Sequence, residues 1–216
     1  MSAKYRRGRF ITFEGGEGAG KTTQQRALSQ KLQEFGVPTL VTREPGGTPG
    51  AEAVRAVLLS GAIKDRGPEA EALLFAAARA DHVDCVIRPA LAEGIWVLCD
   101  RFADSTRVYQ GGAGVEASIL DALELIALDG VTPDLTFVLD LPAKVGLARI
   151  AARSGDGGGD RFERDDLAIH QRRRQAFVAL ARAHPERCVV VNGARPSTGV
   201  AERIWAATVS RLLARG

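Results

Sequence analysis

Eight consecutive residues, Gly15-Gly16-Glu17-Gly18-Ala19-Gly20-Lys21-Thr22, fit the pattern G-x-x-x-x-G-K-[ST]. Glycines at these positions let backbone N–H groups converge on phosphate oxygens, because a Cβ would block the turn. A helix that follows directly adds its positive N-terminal end. Lys21 is then placed to bridge the β- and γ-phosphates of a nucleoside triphosphate, and the Thr22 hydroxyl to ligate Mg²⁺. Such a cradle binds ATP and holds a phosphate for transfer or hydrolysis. It does not choose between kinases, motors, switches and DNA-partitioning ATPases. The partitioning ATPases carry an extra lysine early in the motif, where this chain has Glu14, Gly15 and Gly16.

The motif needs a strand before it and a helix after it, and both are legible. Phe10–Glu14 is a short apolar run ending at the glycines, and Lys21 to Phe35 carries Leu28, Leu32 and Phe35 at helical spacing. Gly36 and Pro38 end that helix. Further apolar runs predict strands at Thr39–Thr42, Ile95–Cys99, Leu135–Leu139 and Cys188–Val191. Helices are predicted over Ala51–Leu59, Pro68–Val86, Val115–Leu128 and Asp166–Ala183, with others starting at Pro142 and Pro196 and a short turn at Pro89. Short apolar strands alternating with helices predict an α/β fold: a five-stranded parallel sheet with helices on both faces, in three layers. No repeat or composition shift marks a second domain, so residues 1–216 are expected to form a single domain.

The 216 residues are 45% hydrophobic and 25% charged, an ordinary globular composition. A formal charge of +3, from 29 Lys+Arg against 26 Asp+Glu, does not argue for a nucleic-acid partner. Arg172-Arg173-Arg174 reads as a solvated helix face. No apolar stretch reaches the ~20 residues of a membrane span, and no signal-peptide core follows Arg6, Arg7 and Arg9. Cys85, Cys99 and Cys188 are odd in number and show no metal spacing, so they read as reduced thiols of a cytoplasmic protein.

Three further segments belong to no generic ATPase pattern. They are Thr42-Arg43-Glu44-Pro45-Gly46-Gly47-Thr48, Leu74-Phe75-Ala76-Ala77-Ala78-Arg79, and the run from Asp100-Arg101-Phe102 through Ser105, Thr106, Tyr109 and Gln110 to Gly112. In this order, after the phosphate cradle, they resemble the bacterial thymidylate kinases, over about Phe10 to Asn192. The resemblance implies ATP-dependent phosphorylation of dTMP to dTDP, with Mg²⁺ and usually as a homodimer.

The same resemblance assigns roles. Phe75 and Arg79, one helical turn apart, would stack on the thymine and hydrogen-bond its edge. Asp100 would hold the Mg²⁺ shell with Thr22, and Arg101 would clamp the phosphates. Thr106, with Ser105 beside it, would contact the base. Tyr109 would crowd C2′ and disfavour a ribose hydroxyl, with Gln110 in the same substrate-binding run. Glu17 would sit near the acceptor sugar and phosphate, and Arg43 and Arg55 near the acceptor phosphate and pocket rim. Members place a catalytic arginine either in the phosphate loop or in a mobile lid. Position 18 is glycine, which implies the lid-arginine type. The expected lid lies at about 150–163, around the glycine-rich Ser154–Asp160, with Arg153 the first candidate and Arg149 and Arg161 behind it. The helices over Pro68–Val86 and Val115–Leu128 are the expected dimer face.

Overall fold

The structure, a computed structural model, describes residues 7–154 and 161–214. Among the described residues a single parallel sheet has the order β2-β3-β1-β4-β5. Its strands are β1 (Phe10–Glu14), β2 (Thr39–Arg43), β3 (Trp96–Asp100), β4 (Leu135–Asp140) and β5 (Cys188–Asn192). The helices are α1 (Lys21–Glu34), α2 (Pro49–Ser60), α3 (Pro68–His82), α4 (Arg88–Ala92), α5 (Ala103–Gly112), α6 (Ala117–Leu128), α7 (Ala143–Ser154), α8 (Leu167–Ala183) and α9 (Ser197–Thr208).

Alternation along β1 explains the layers. Ile11 and Phe13 point to one face, where they pack with Leu28 and Leu32 of α1 and Val200 and Ile204 of α9. Phe10 points to the other face and joins Val83, Ile87 and Phe102. Both faces are covered, and each β1 residue is buried. Thr12 lies on the same face as Phe10, and its hydroxyl pairs with that of Thr136 on β4 at 2.8 Å, so these buried polar groups satisfy each other. Gln25 of α1 donates to the carbonyls of Thr42 and Leu98 at 2.7 and 2.8 Å, which pins the helix after the glycine loop to the ends of β2 and β3.

The predicted three-layer sandwich is the observed one, with three differences. Four strands run one residue beyond their apolar stretch, to Arg43, Asp100, Asp140 and Asn192. Pairing continues there, as Arg43 with Asp100 and Asp140 with Asn192, because the backbone ladder does not need an apolar side chain. The helix predicted to reach Val86 is regular only to His82. It then widens into a π turn over Val83–Ile87 that leads to Pro89, which has no N–H to donate. Helix α5 was not among the predicted elements. Its sequence, ADSTRVYQGG, is polar and ends in two glycines, and its buried side carries Asp104, Thr106 and Gln110 as well as Val108. A helix that buries polar groups leaves no apolar period to read.

Candidate active site

The glycine loop joins β1 to α1 at the carboxyl ends of the strands, where open α/β sheets bind ligands. Gly15 has φ 131°, and a Cβ there would lie 2.6 Å from the Leu139 carbonyl oxygen. Gly18 has φ 67°, and a Cβ there would approach the Gly146 carbonyl oxygen of α7 to 2.2 Å. An arginine at position 18 would therefore displace α7, which agrees with a loop that supplies no arginine of its own. Lys21 is buried, and its Nζ donates to the carbonyls of Gly15 and Gly16 at 3.1 and 2.9 Å. Burial, helped by the Arg101 charge, lowers its pKa, partly offset by Glu17, Asp100 and Glu14.

The Thr22 hydroxyl donates to Asp100 Oδ2 at 2.5 Å, so the two predicted Mg²⁺ positions meet at the loop mouth. They offer hard oxygen ligands, which suit Mg²⁺. Among the described residues no group of three or more His, Cys, Asp and Glu side chains could enclose a metal. A divalent cation here would take its remaining ligands from phosphate and water, the usual arrangement for Mg²⁺.

Arg101 is the hub of the cleft. Its φ of 68° is left-handed, a conformation that costs an ordinary residue on the order of 1–3 kcal/mol. The turn is held on both sides: Arg101 N–H donates to Phe13 O at 2.9 Å, and Phe102 N–H to Glu14 Oε1 at 2.7 Å. The guanidinium then reaches Glu17 at 2.6 Å, Ser105 Oγ at 3.2 Å and Gly15 O at 3.3 Å. Burial opposes its charge, but Glu17 and the neighbouring Tyr109, Asp100 and Glu14 raise its pKa well above the usual. Tyr109 Oη donates to the same Glu17 oxygen at 2.6 Å. Burial pushes the Glu17 carboxyl up, yet Arg101, Lys21 and the Tyr109 hydrogen bond outweigh it and hold the pKa at about 2. Glu14 differs: burial and Asp104 push its pKa to about 8, against hydrogen bonds from Ser105 and Phe102.

Ser105, next to Thr106, borders the cleft, and its hydroxyl accepts from Arg101 and donates to Glu14 Oε2 at 2.6 Å. Arg79 and Thr106 do meet: Arg79 Nη2 donates to Thr106 Oγ1 at 2.9 Å. Phe75, half-buried, borders the cleft with them. Gln110 is buried and its amide donates to Glu71 at 3.4 Å. Arg43 pairs with both oxygens of Glu52 at 2.8 and 3.0 Å, and Arg55 donates to the Pro45 carbonyl at 2.8 Å; both border the cleft.

The three lid candidates fare differently. Arg149 borders the cleft and donates to Gly193 O at 3.4 Å. Arg153 is near the end of α7, and its side chain lies outside the described residues. Arg161 is engaged elsewhere, 2.5 Å from Glu71 of α3 and stacked 4.2 Å over Phe162. Phe162 stands 5.6 Å from Tyr109 and 6.2 Å from Phe75, ring centre to ring centre, so it closes the side of the cleft that those two rings line.

Residues 17–22 of the glycine loop, Arg43, Arg55, Asp100, Arg101 and Ser105 line one cavity of about 600 Å³. The glycine loop occupies its middle. Phe75, Arg79, Thr106, Tyr109 and Phe162 line one end, and Gln24, Gly193, Arg195, Ser197 and Val200 line the other. Sequence reasoning missed that second end, because most of its residues come from the segment after β5 and carry no motif. It also missed Glu44 and His82, which back Arg79: Glu44 accepts from Arg79 Nε at 2.7 Å and faces His82 Nδ1 at 3.1 Å. The signal for Glu44 was a charged residue inside a turn segment; a histidine on a helix gave none.

Comparison with known proteins agrees with this geometry. The family profile "Thymidylate kinase" matches residues 13–204. The thymidylate kinase of Nitrobacter winogradskyi is 56% identical over 212 residues, covering 98% of this chain and 92% of that protein. That of Bradyrhizobium diazoefficiens is 55% identical over 208 residues, covering 96% of this chain and 91% of that protein. The crystal structure of thymidylate kinase from Ehrlichia chaffeensis superposes with a TM-score of 0.74 at 35% identity, covering 93% of this chain and 98% of that one. With a family match across most of its length and relatives this similar end to end, the chain belongs to the thymidylate kinase family.

Proposed function

We infer that this protein transfers the terminal phosphate of ATP to dTMP, giving ADP and dTDP. The observation that carries the reading is a single cleft lined by the phosphate cradle, by Phe75, Arg79, Thr106 and Tyr109, and by Gln24, Ser197 and Val200. A switch or motor ATPase needs one nucleotide pocket; a kinase of nucleotides needs two, aligned through their phosphates. In this reading ATP lies with its base near Ser197 and its phosphates on Gly15–Thr22. dTMP lies with its thymine near Phe75, Arg79 and Thr106. An oxygen of the acceptor phosphate attacks the γ-phosphorus, the bond to the β–γ bridging oxygen breaks, and that electron pair leaves with ADP. The acceptor is already anionic, so no covalent enzyme intermediate is required.

The chain's part is positioning and charge stabilisation. Lys21 exchanges its carbonyl contacts for phosphate oxygens. Arg101 spans donor and acceptor phosphates, and Glu17, ionised at neutral pH, holds Arg101 and Tyr109 in place. Tyr109 fills the space a ribose 2′-hydroxyl would need, and Arg43 and Arg55 sit at the acceptor rim. A Mg²⁺ ion would be held by Thr22 and Asp100 and, when bound, neutralises charge at the β- and γ-phosphates. The stretch at about 150–163 serves as the lid of a single domain, with Arg153 supplying the catalytic arginine; Arg149, Phe162 and Glu163, which bracket it, all border the cleft.

The reading is checked by ADP release from ATP and Mg²⁺ with dTMP, dUMP, dGMP, dCMP and the ribose form of TMP as acceptors. dTMP should stimulate release far above the others; ATP hydrolysis that ignores the acceptor would reject it.

The protein acts as a homodimer through α3 and α6. These helices pack on each other and leave Leu73, Leu125 and Ile126 at 57%, 77% and 74% exposure. Large apolar side chains left open on neighbouring helices support a partner there. Sedimentation at the 23.0 kDa of one chain, rather than twice that mass, would contradict it. Among the described residues no helix is long and apolar enough to cross a membrane. The free thiols Cys85, Cys99 and Cys188 support a reducing cytoplasm. Fractionation that recovers the protein elsewhere would contradict that placement.

A further inference from the structure

A chain of buried polar contacts runs from the sheet to the base-binding end of the cleft. Thr42 Oγ1, at the end of β2, lies 2.8 Å from His82 Nε2. His82, the last residue of α3, is fully buried, and its Nδ1 lies 3.1 Å from Glu44 Oε1. Glu44 Oε2 accepts from Arg79 Nε at 2.7 Å, and Arg79 Nη2 donates to Phe102 O and Thr106 Oγ1 at 3.2 and 2.9 Å. Glu44 and Arg79 are each only 4% exposed at their side chains.

Hydrogen-bond logic orders this chain. An ionised Glu44 only accepts, so His82 Nδ1 carries a proton toward it. Nε2 can then accept from the Thr42 hydroxyl. A Cβ placed on Gly47 would lie 2.6 Å from His82 Nε2, so the Gly46–Gly47 turn lies close against the ring with no room for a side chain between them. Each oxygen of Glu44 therefore has its own partner, and the carboxylate cannot turn without losing one. Arg79 is in turn gripped at Nε and Nη2, while Nη1 has no hydrogen-bond partner among the described residues.

We propose that His82, acting through Glu44, is a positioning residue that holds the Arg79 guanidinium with one corner free to read the acceptor base. This rests on the reading of Arg79 as the base contact. An arginine side chain loses rotamer entropy when it is fixed, and holding it before the substrate arrives removes that cost from binding. Loss of the His82 contact leaves a buried carboxylate oxygen unsatisfied and lets the pair reorganise. The effect should fall on dTMP binding, because the chain touches neither the glycine loop nor the far end of the cleft.

The test compares His82→Gln, His82→Asn and Arg79→Lys in steady-state kinetics. An asparagine amide can occupy the place of Nδ1 and still donate to Glu44, whereas glutamine reaches toward Thr42 instead. His82→Gln should raise the dTMP KM about tenfold while kcat stays within about threefold and the ATP KM is unchanged. His82→Asn should restore most of the loss. Arg79→Lys should raise the dTMP KM at least as much as His82→Gln. If Arg79→Lys leaves it unchanged, the base-contact reading itself fails. If Arg79→Lys raises it and His82→Gln does not, the positioning role fails. A parallel fall in kcat and in affinity for both nucleotides would also overturn the proposal, since that is what general loss of structure produces. Should neither His82 variant fold, Thr42→Val trims only the outer contact. A rise of about twofold in the dTMP KM supports the chain, and an unchanged value contradicts it.

Discussion

Lys21→Met should lower kcat by about 10³-fold while leaving the dTMP KM within a few-fold. Methionine fills nearly the same volume, so the change removes charge and donors more than packing. At rest the ammonium is parked on the carbonyls of Gly15 and Gly16, contacts that weigh little for stability and are readily exchanged for phosphate oxygens. Lys21 is buried; burial and the Arg101 charge lower its pKa, and Glu17, Asp100 and Glu14 oppose that shift. A charge in such a site interacts with the transferring phosphate far more strongly than in bulk water. Single-turnover rates with saturating ATP and dTMP decide the matter, and a kcat within tenfold of the parent would remove Lys21 from the transition state.

Arg101→Ala should cost about 10²–10³-fold in kcat and weaken dTMP as well. Two effects combine. The span between donor and acceptor phosphates is lost, and Glu17 loses its principal neutralising partner. The Glu17 carboxyl, now at about 2, should then titrate higher, because burial is the largest influence raising it. Arg101→Lys should recover only part of the loss: one ammonium cannot reproduce the fork that reaches Glu17, Ser105 and Gly15 together. Full recovery by lysine would mean that only charge matters at this position, and wild-type turnover in the alanine variant would exclude Arg101 from the site.

The sheet, its flanking helices and the phosphate cradle could be read from the chain because each rests on local pattern: apolar runs such as Phe10–Glu14, helix stops at Gly36 and Pro38, and a loop in which Gly15 and Gly18 have positive φ and no room for a Cβ. The pairing of Thr22 with Asp100 was also legible, since one ends a motif and the other a strand. What escaped was tertiary. Helix α5 carries Thr106 and Tyr109 yet hides polar side chains, so the usual period is missing. The hydrogen bonds of Ser105 with Arg101 and Glu14 carry no local signal. The pairing of Arg161 with Glu71, 90 positions earlier in the chain, carries no local signal. His82 had no motif at all; only the approach of β2 and its following turn to the end of α3 gives it a role.

Direct transfer between two nucleotides held in one cleft leaves a signature that phosphorus NMR can read in a single tube of protein, ATP, Mg²⁺ and dTMP. The dTMP resonance should decline as dTDP and ADP appear together in equal amounts, with no inorganic phosphate. Inorganic phosphate and ADP appearing while dTMP stays intact would mean that the γ-phosphate goes to water, and transfer between the two nucleotides would be ruled out.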